Sequence, residues 1–110
     1  MGREHLNAGR YFPAHEAWET AWKQARGTGD AEFFKGLSQL GAGLVHLLRG
    51  NRHGAVRLLR RAAGRLGRYP SLHLGVDAKA VAGAAERLAD ALQRGDVRPG
   101  EDAQFERPTV

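Results

Sequence analysis

His15 and Glu19 stand one helical turn apart in the run His15-Glu16-Ala17-Trp18-Glu19-Thr20-Ala21-Trp22, beside both tryptophans of the chain. An imidazole and a carboxylate at i and i+4 share one helix face. They can hold a divalent metal, or act as a base and the group that orients it. The zinc-protease pattern has a second histidine where this chain has Glu19, so further ligands would come from Glu16, Gln39 or His46. The di-iron pattern, Glu followed by His three residues later, is absent. The structural alternative is a hydrogen-bonded network in which Glu19 orients His15 and His15 bonds Gln39 or His46 across a helix interface. A buried polar group left unpaired would cost about 1–3 kcal/mol. The expected pocket comprises His15, Glu16, Glu19, Trp22, Gln39 and His46, and the expected metal set is His15, Glu19 and His46. No nucleophile is signalled: Ser38, Ser71, Thr20 and Thr28 sit in no nucleophile-elbow context, cysteine is absent, and the glycines form no phosphate-binding loop.

Charge supplies the second candidate. From Phe33 to Val76 there is no Asp or Glu, and Lys35, Arg49, Arg52, Arg57, Arg60, Arg61, Arg65 and Arg68 give that segment a charge of +8. The remainder carries nine basic against twelve acidic side chains. Such asymmetry marks either an anionic partner or a solvated basic face. Arg49, Arg52, Arg57, Arg60, Arg61, Arg65 and Arg68 form the candidate anion or nucleic-acid surface, although base readers are missing and Tyr69 is the only nearby aromatic.

These groups must be positioned by helices. Hydrophobic residues are 42% of the chain and aromatics 7%, so the core rests on Leu, Ala and Val, and no stretch alternates like a half-buried strand. The spacing predicts a short helix over 3–8 stopped at Gly9 and helices near 13–26, 31–49, 52–68 and 78–94. Pro13 falls in a first turn, and Asp30, Asn51 and Asp77 are predicted N-caps. In the 31–49 helix, Gly36, Gly41 and Gly43 each cost about 1 kcal/mol against alanine, which implies neighbours approaching closely on both sides. Gln39 and His46 share its small-residue side. A weak repeat at offset 41 matches Leu6…Gly9…Ala14…Trp18 with Leu47…Gly50…Ala55…Leu59. It resembles the helix-turn-helix of tetratricopeptide repeats, but with too few copies for an array, so it reads as two helical hairpins in one bundle. The expected fold is all-α: a compact bundle of four main helices plus a short N-terminal helix. One domain covers 1–95, and a polar tail over 96–110 is mobile or laid on the surface.

These residues also carry a family likeness. Asn7-Ala8-Gly9-Arg10-Tyr11-Phe12-x-Ala14-His15-Glu16-x-x-Glu19-x-x-Trp22 resembles the opening motif of the bacterial and archaeal family called domain of unknown function 309. Lys35-Gly36-Leu37-Ser38-Gln39-Leu40 running to His46-Leu47-x-x-Gly50-Asn51-x-x-Gly54-Ala55 is similar to its second motif, and Tyr69-Pro70 with Gly75-Val76-Asp77 to its third. The likeness covers roughly residues 5–90. It implies a small all-α fold and no assigned activity. Two positions depart from the family pattern: Lys35 stands before Gly36 where a glutamine is usual, and Ala17 stands where a bulky aliphatic often follows His-Glu.

The reading that follows is a small cytoplasmic binding or scaffolding module with a polar inter-helix pocket. The alternatives are a metal-dependent hydrolase using His15, Glu19 and His46, and a nucleic-acid-binding accessory protein using the Arg-rich helix. No cofactor is expected outside the divalent metal of the hydrolase reading. A protein partner or self-association through the apolar face of the 78–94 helix is expected, nucleic acid is the alternative partner, and no membrane partner is expected, since the N-terminus is polar and no apolar run reaches a membrane span.

Overall fold

A computed structural model describes all 110 residues. The chain forms five helices, α1 (Gly2–Asn7), α2 (Tyr11–Gln24), α3 (Ala31–Leu48), α4 (Arg52–Leu66) and α5 (Ala78–Arg94), with a minimal antiparallel pair, β1 (Leu72–His73) and β2 (Val76–Asp77), between α4 and α5. The fold is the all-α bundle read from the sequence. Each helix packs on the next, α1 on α2, α2 on α3, α3 on α4 and α4 on α5. No helix is long and apolar enough to cross a membrane.

The offset-41 repeat is a repeated helix end. At Gly9 (φ +80°) and Gly50 (φ +83°) the backbone turns left-handed, which favours glycine. Gly9 N–H donates to Leu6 O and Arg10 N–H to His5 O, while Gly50 N–H donates to Leu47 O and Asn51 N–H to His46 O. These paired bonds form a Schellman stop, which satisfies carbonyls that a helix end would otherwise leave open. The same turn recurs where α5 ends: Gly95 N–H donates to Leu92 O and Asp96 N–H to Ala91 O. Because Gly9 ends α1 so tightly, α2 begins at Tyr11, two residues ahead of the expected start, and Pro13 still lies in its first turn.

Two further differences from the sequence expectation meet at one corner. Asn51 and Asp77 cap α4 and α5 by accepting from Gly54 N–H at 2.9 Å and Ala80 N–H at 3.0 Å. Asp30 holds the N-cap position of α3 without capping it; its carboxylate pairs with His73 Nε2 at 2.9 Å instead. The segment between the expected helices near 52–68 and 78–94 forms a hairpin with the two-residue turn Leu74-Gly75 (φ 48° and 77°), a backbone that suits the right-handed twist of its strands. The His73 ring packs on Phe33 at 4.7 Å and Tyr69 at 4.6 Å, and Tyr69 OH donates to Gly29 O at 2.7 Å, so the hairpin is fastened to the start of α3.

The core lies along α3, whose Leu37, Leu40, Leu44 and Leu47 are fully buried together with Leu59, Leu66 and Leu92. The helix glycines set its distances to its neighbours. A Cβ on Gly41 would sit 3.0–3.1 Å from the backbone N and Cα of His15 on α2. On the other side, Cβ atoms on Gly36 and Gly43 would meet Leu66 and Leu59 of α4 at 3.0 Å. Gly64, on the outer face of α4, has nothing within 4 Å.

Residues 96–110 run back over the surface. Val97 and Pro108 are buried, Gly100 N–H donates to Leu47 O at 2.7 Å, and Val110 N–H donates to Asn7 Oδ1 at 2.9 Å. Arg107 lies over the Tyr11 ring at 5.9 Å. Burial pushes the Tyr11 phenol above its ordinary pKa near 10, with the charge of Arg107 opposing the rise. The folded state therefore keeps a proton that the unfolded chain loses, so this part of the stability falls as pH rises past 10. Chemical denaturation between pH 9 and 11 should show the loss, and Tyr11→Phe should flatten it.

The glycines separate in the same assay. Gly64→Ala should gain about 0.5–1 kcal/mol from helix propensity alone. Gly41→Ala should lose net stability, by about 1–3 kcal/mol, because the atoms it meets are α2 backbone and cannot rotate away. Equal effects at the two positions would refute the close α2–α3 crossing.

Candidate functional site

The polar centre forms where α2 crosses α3 at Gly41. His15 Nδ1 lies 2.9 Å from both the backbone oxygen and the Oγ of Ser38, and Ser38 Oγ lies 3.2 Å from Glu19 Oε2 and 3.3 Å from His15 O. Ser38 is 2% exposed, while His15 and Glu19 are half-buried. His15 and Glu19 are thus brought together, but through Ser38 and not by a direct bond.

The protons can be assigned from the acceptors. A carbonyl oxygen can only accept, so the neutral imidazole carries its hydrogen on Nδ1 and donates to Ser38 O. The single Ser38 hydroxyl proton then goes to the Glu19 carboxylate, its strongest acceptor. His15 Nε2 is left as a free lone pair with no partner inside the protein, beside Phe12, whose ring centre is 6.2 Å from that of His15. This order is Glu–Ser–His, with the serine in the middle and buried. A hydrolytic triad needs the histidine in the middle and an exposed serine, so Ser38 is a strut between two helices, and His15 Nε2 and the second oxygen of Glu19 are left without partners.

The other expected pocket members lie elsewhere. Gln39 faces α4, where its Oε1 accepts from Arg65 Nη1 at 3.2 Å. His46 is part of the α3–α4 turn, where Asn51 Nδ2 donates to its Nδ1 at 3.0 Å. The first turn repeats that clamp: Arg10 Nε donates to His5 Nδ1 at 2.9 Å. Gly54 leaves room for it, since a Cβ there would meet Asn51 Nδ2 at 2.6 Å. The expected bond from His15 to Gln39 or His46 is therefore replaced by the bond to Ser38, and His46 does not join His15 and Glu19. No group of three or more His, Asp or Glu side chains converges as a metal-ligand set. Glu16 faces solvent, and Trp22 is flanked by Arg26 and Lys35 at 4.9 and 5.1 Å from its ring centre. The signal for His46 was present in the sequence, because the offset that aligns Leu6 with Leu47 also aligns His5 with His46.

The arginines divide into two sets. Arg52 Nε donates to Leu92 O at 3.0 Å, at the C-terminal end of α5. Arg60 is held by Asp90 at 3.0 Å and by Glu86 and Gln93, and the Asp90 bond raises its already high pKa. Arg65 pairs with Gln39, and Glu32 lies 3.5 Å from its Nε. Arg49, Arg57, Arg61 and Arg68 are exposed and bond no other side chain.

Ser38→Ala should remove the link between His15 and Glu19 and lower stability by about 1–2 kcal/mol. A double-mutant cycle of Ser38→Ala with Glu19→Ala should give a coupling of about 0.5 kcal/mol or more. Strict additivity in urea unfolding would mean that the two side chains do not interact.

No curated protein and no solved structure is significantly similar to the chain. The model of the family described as domain of unknown function (DUF309) matches residues 1–58. That stretch contains α1, α2, α3 and the start of α4, hence both histidine-clamped turns and the whole His15–Ser38–Glu19 network, whereas the hairpin, α5 and the tail lie beyond it. With more than half of its length matched, and with the matched half supplying the bundle's central crossing, the chain belongs to the DUF309 family.

Proposed function

We propose that the protein is a small binding module that grips the phosphate backbone of duplex nucleic acid with the outer face of α4. The observation that carries this reading is the unpaired pair Arg57 and Arg61 on a helix with no acidic residue, with the unpaired Arg68 just past its end. At 100° per residue His53, Arg57 and Arg61 fall within an arc of about 80°, and His53 to Arg61 spans about 12 Å. Gly64 lies inside the same arc and leaves open space between the arginines, so a flat phosphate surface can approach the helix closely. The only nearby aromatic, Tyr69, is engaged with Gly29 and His73. Phosphate contacts without base readers or a stacking platform favour sequence-independent duplex binding over single-strand binding.

The polar-pocket and hydrolase readings have less support, because Gln39 and His46 are occupied at the α3–α4 side and His15 and Glu19 meet no third ligand.

Fluorescence anisotropy with a labelled 20-base-pair duplex tests the proposal. Binding should be clear at low salt and weaken steeply as salt is added. Arg57→Ala/Arg61→Ala/Arg68→Ala should lower the slope of log K against log salt by about one per arginine. Arg49→Ala should change it less. No binding at low salt, or an unchanged slope in the triple variant, would overturn the proposal.

A further inference from the structure

A cleft lies between α5 and the returning tail. It has a volume of about 570 Å³ and opens to solvent on one side. That size is ordinary for small-molecule sites. Ala84, Leu88 and Val97 are among its apolar lining, and Phe105 and Pro108 of the tail close it from above. Small side chains at Ala84 and Ala91 keep the space open. α5 packs mainly on α4.

Charged side chains stand at the rim. Arg3, Arg87 and Arg107 line the cleft against Asp77 and Glu106. The Asp77 carboxylate already caps α5 through Ala80 N–H. Arg3 is already engaged, donating to an oxygen of the terminal residue Val110 and to Gly75 O. The acids of α5, Glu86 and Asp90, are bound by Arg60 of α4. Arg87 therefore has no carboxylate partner and lies back over Gly83, where the missing side chain makes room for its guanidinium.

An apolar trough with an unpaired guanidinium at its rim fits one kind of occupant. We infer that the cleft binds a small amphipathic organic acid, its apolar body on Ala84, Leu88 and Val97 and its carboxylate against Arg87. The site is independent of the α4 face and does not rest on nucleic-acid binding. A guanidinium and a carboxylate bond strongly once partly shielded from water, and the apolar body supplies the remaining affinity by removing hydrocarbon from water.

The probe is decanoate, with decan-1-ol as its uncharged counterpart, followed by ¹H–¹⁵N correlation spectra of the full chain and by titration calorimetry. Decanoate should bind at millimolar concentrations or below, with shifts confined to residues 80–91 and 105–109. Decanol should bind more weakly. Arg87→Gln, an exposed substitution that leaves the packing intact, should cost about tenfold in affinity. Ala84→Trp should fill the trough and abolish binding, while the α4 triple arginine variant should bind as the parent does. The inference is overturned if decanoate does not bind, if its shifts map elsewhere, or if decanol or the Arg87→Gln protein matches decanoate on the parent.

Discussion

Everything in this bundle depends on how closely α3 can approach its two neighbours. Glycine inside a helix is unfavourable by about 1 kcal/mol against alanine, and α3 carries three. Gly41 admits the backbone of α2, and Gly36 and Gly43 admit the side chains of α4. The loss in propensity is offset by dispersion contacts and by the burial of a leucine row that both neighbours share. The same approach brings Ser38 within reach of His15 and Glu19. The polar network is thus a product of the crossing, and it orients the crossing in return, since a buried hydroxyl with a single proton is satisfied in only a few geometries.

Much of the architecture was legible in the residues. Helix ends were marked by glycine with a leucine three residues before it, and by Asn51 and Asp77 as caps. The arginine-rich exterior of α4 followed from periodicity. Three features were not legible, each for a physical reason. A strand of two residues has no alternation to read, so β1 and β2 were invisible. Asp30 had the composition of a cap, but its carboxylate had a better partner in His73, which lies 43 residues away in sequence and is brought near only by the tertiary fold. The role of Ser38 as a strut was not readable, because periodicity tells which residues share a face of one helix. It does not tell which neighbour that face meets. Gln39 and His46 do share a face, and it is the face toward α4.

Arginine in this chain has two separate uses. Arg52, Arg60 and Arg65 tie helices together by reaching carbonyl, carboxylate and amide oxygens across interfaces, which a forked, always-charged group does well. Arg57, Arg61 and Arg68 have no such work inside the protein. The division explains how a segment of charge +8 folds compactly: its inward arginines are paired with the acids of α5 and with the N-terminal turn of α3, and its outward ones are separated by solvent.

The order of packing carries a kinetic meaning. Each helix rests on the one that follows it in sequence, so most of the core is made by segments that leave the ribosome one after another. Chains built from such near neighbours close small loops first and fold fast. The contacts of Val110 with Asn7 and Arg3 are the opposite case, joining residues more than a hundred positions apart. They can form only once residue 110 has been made, which makes the tail the last element to settle, over an α1 already resting on α2.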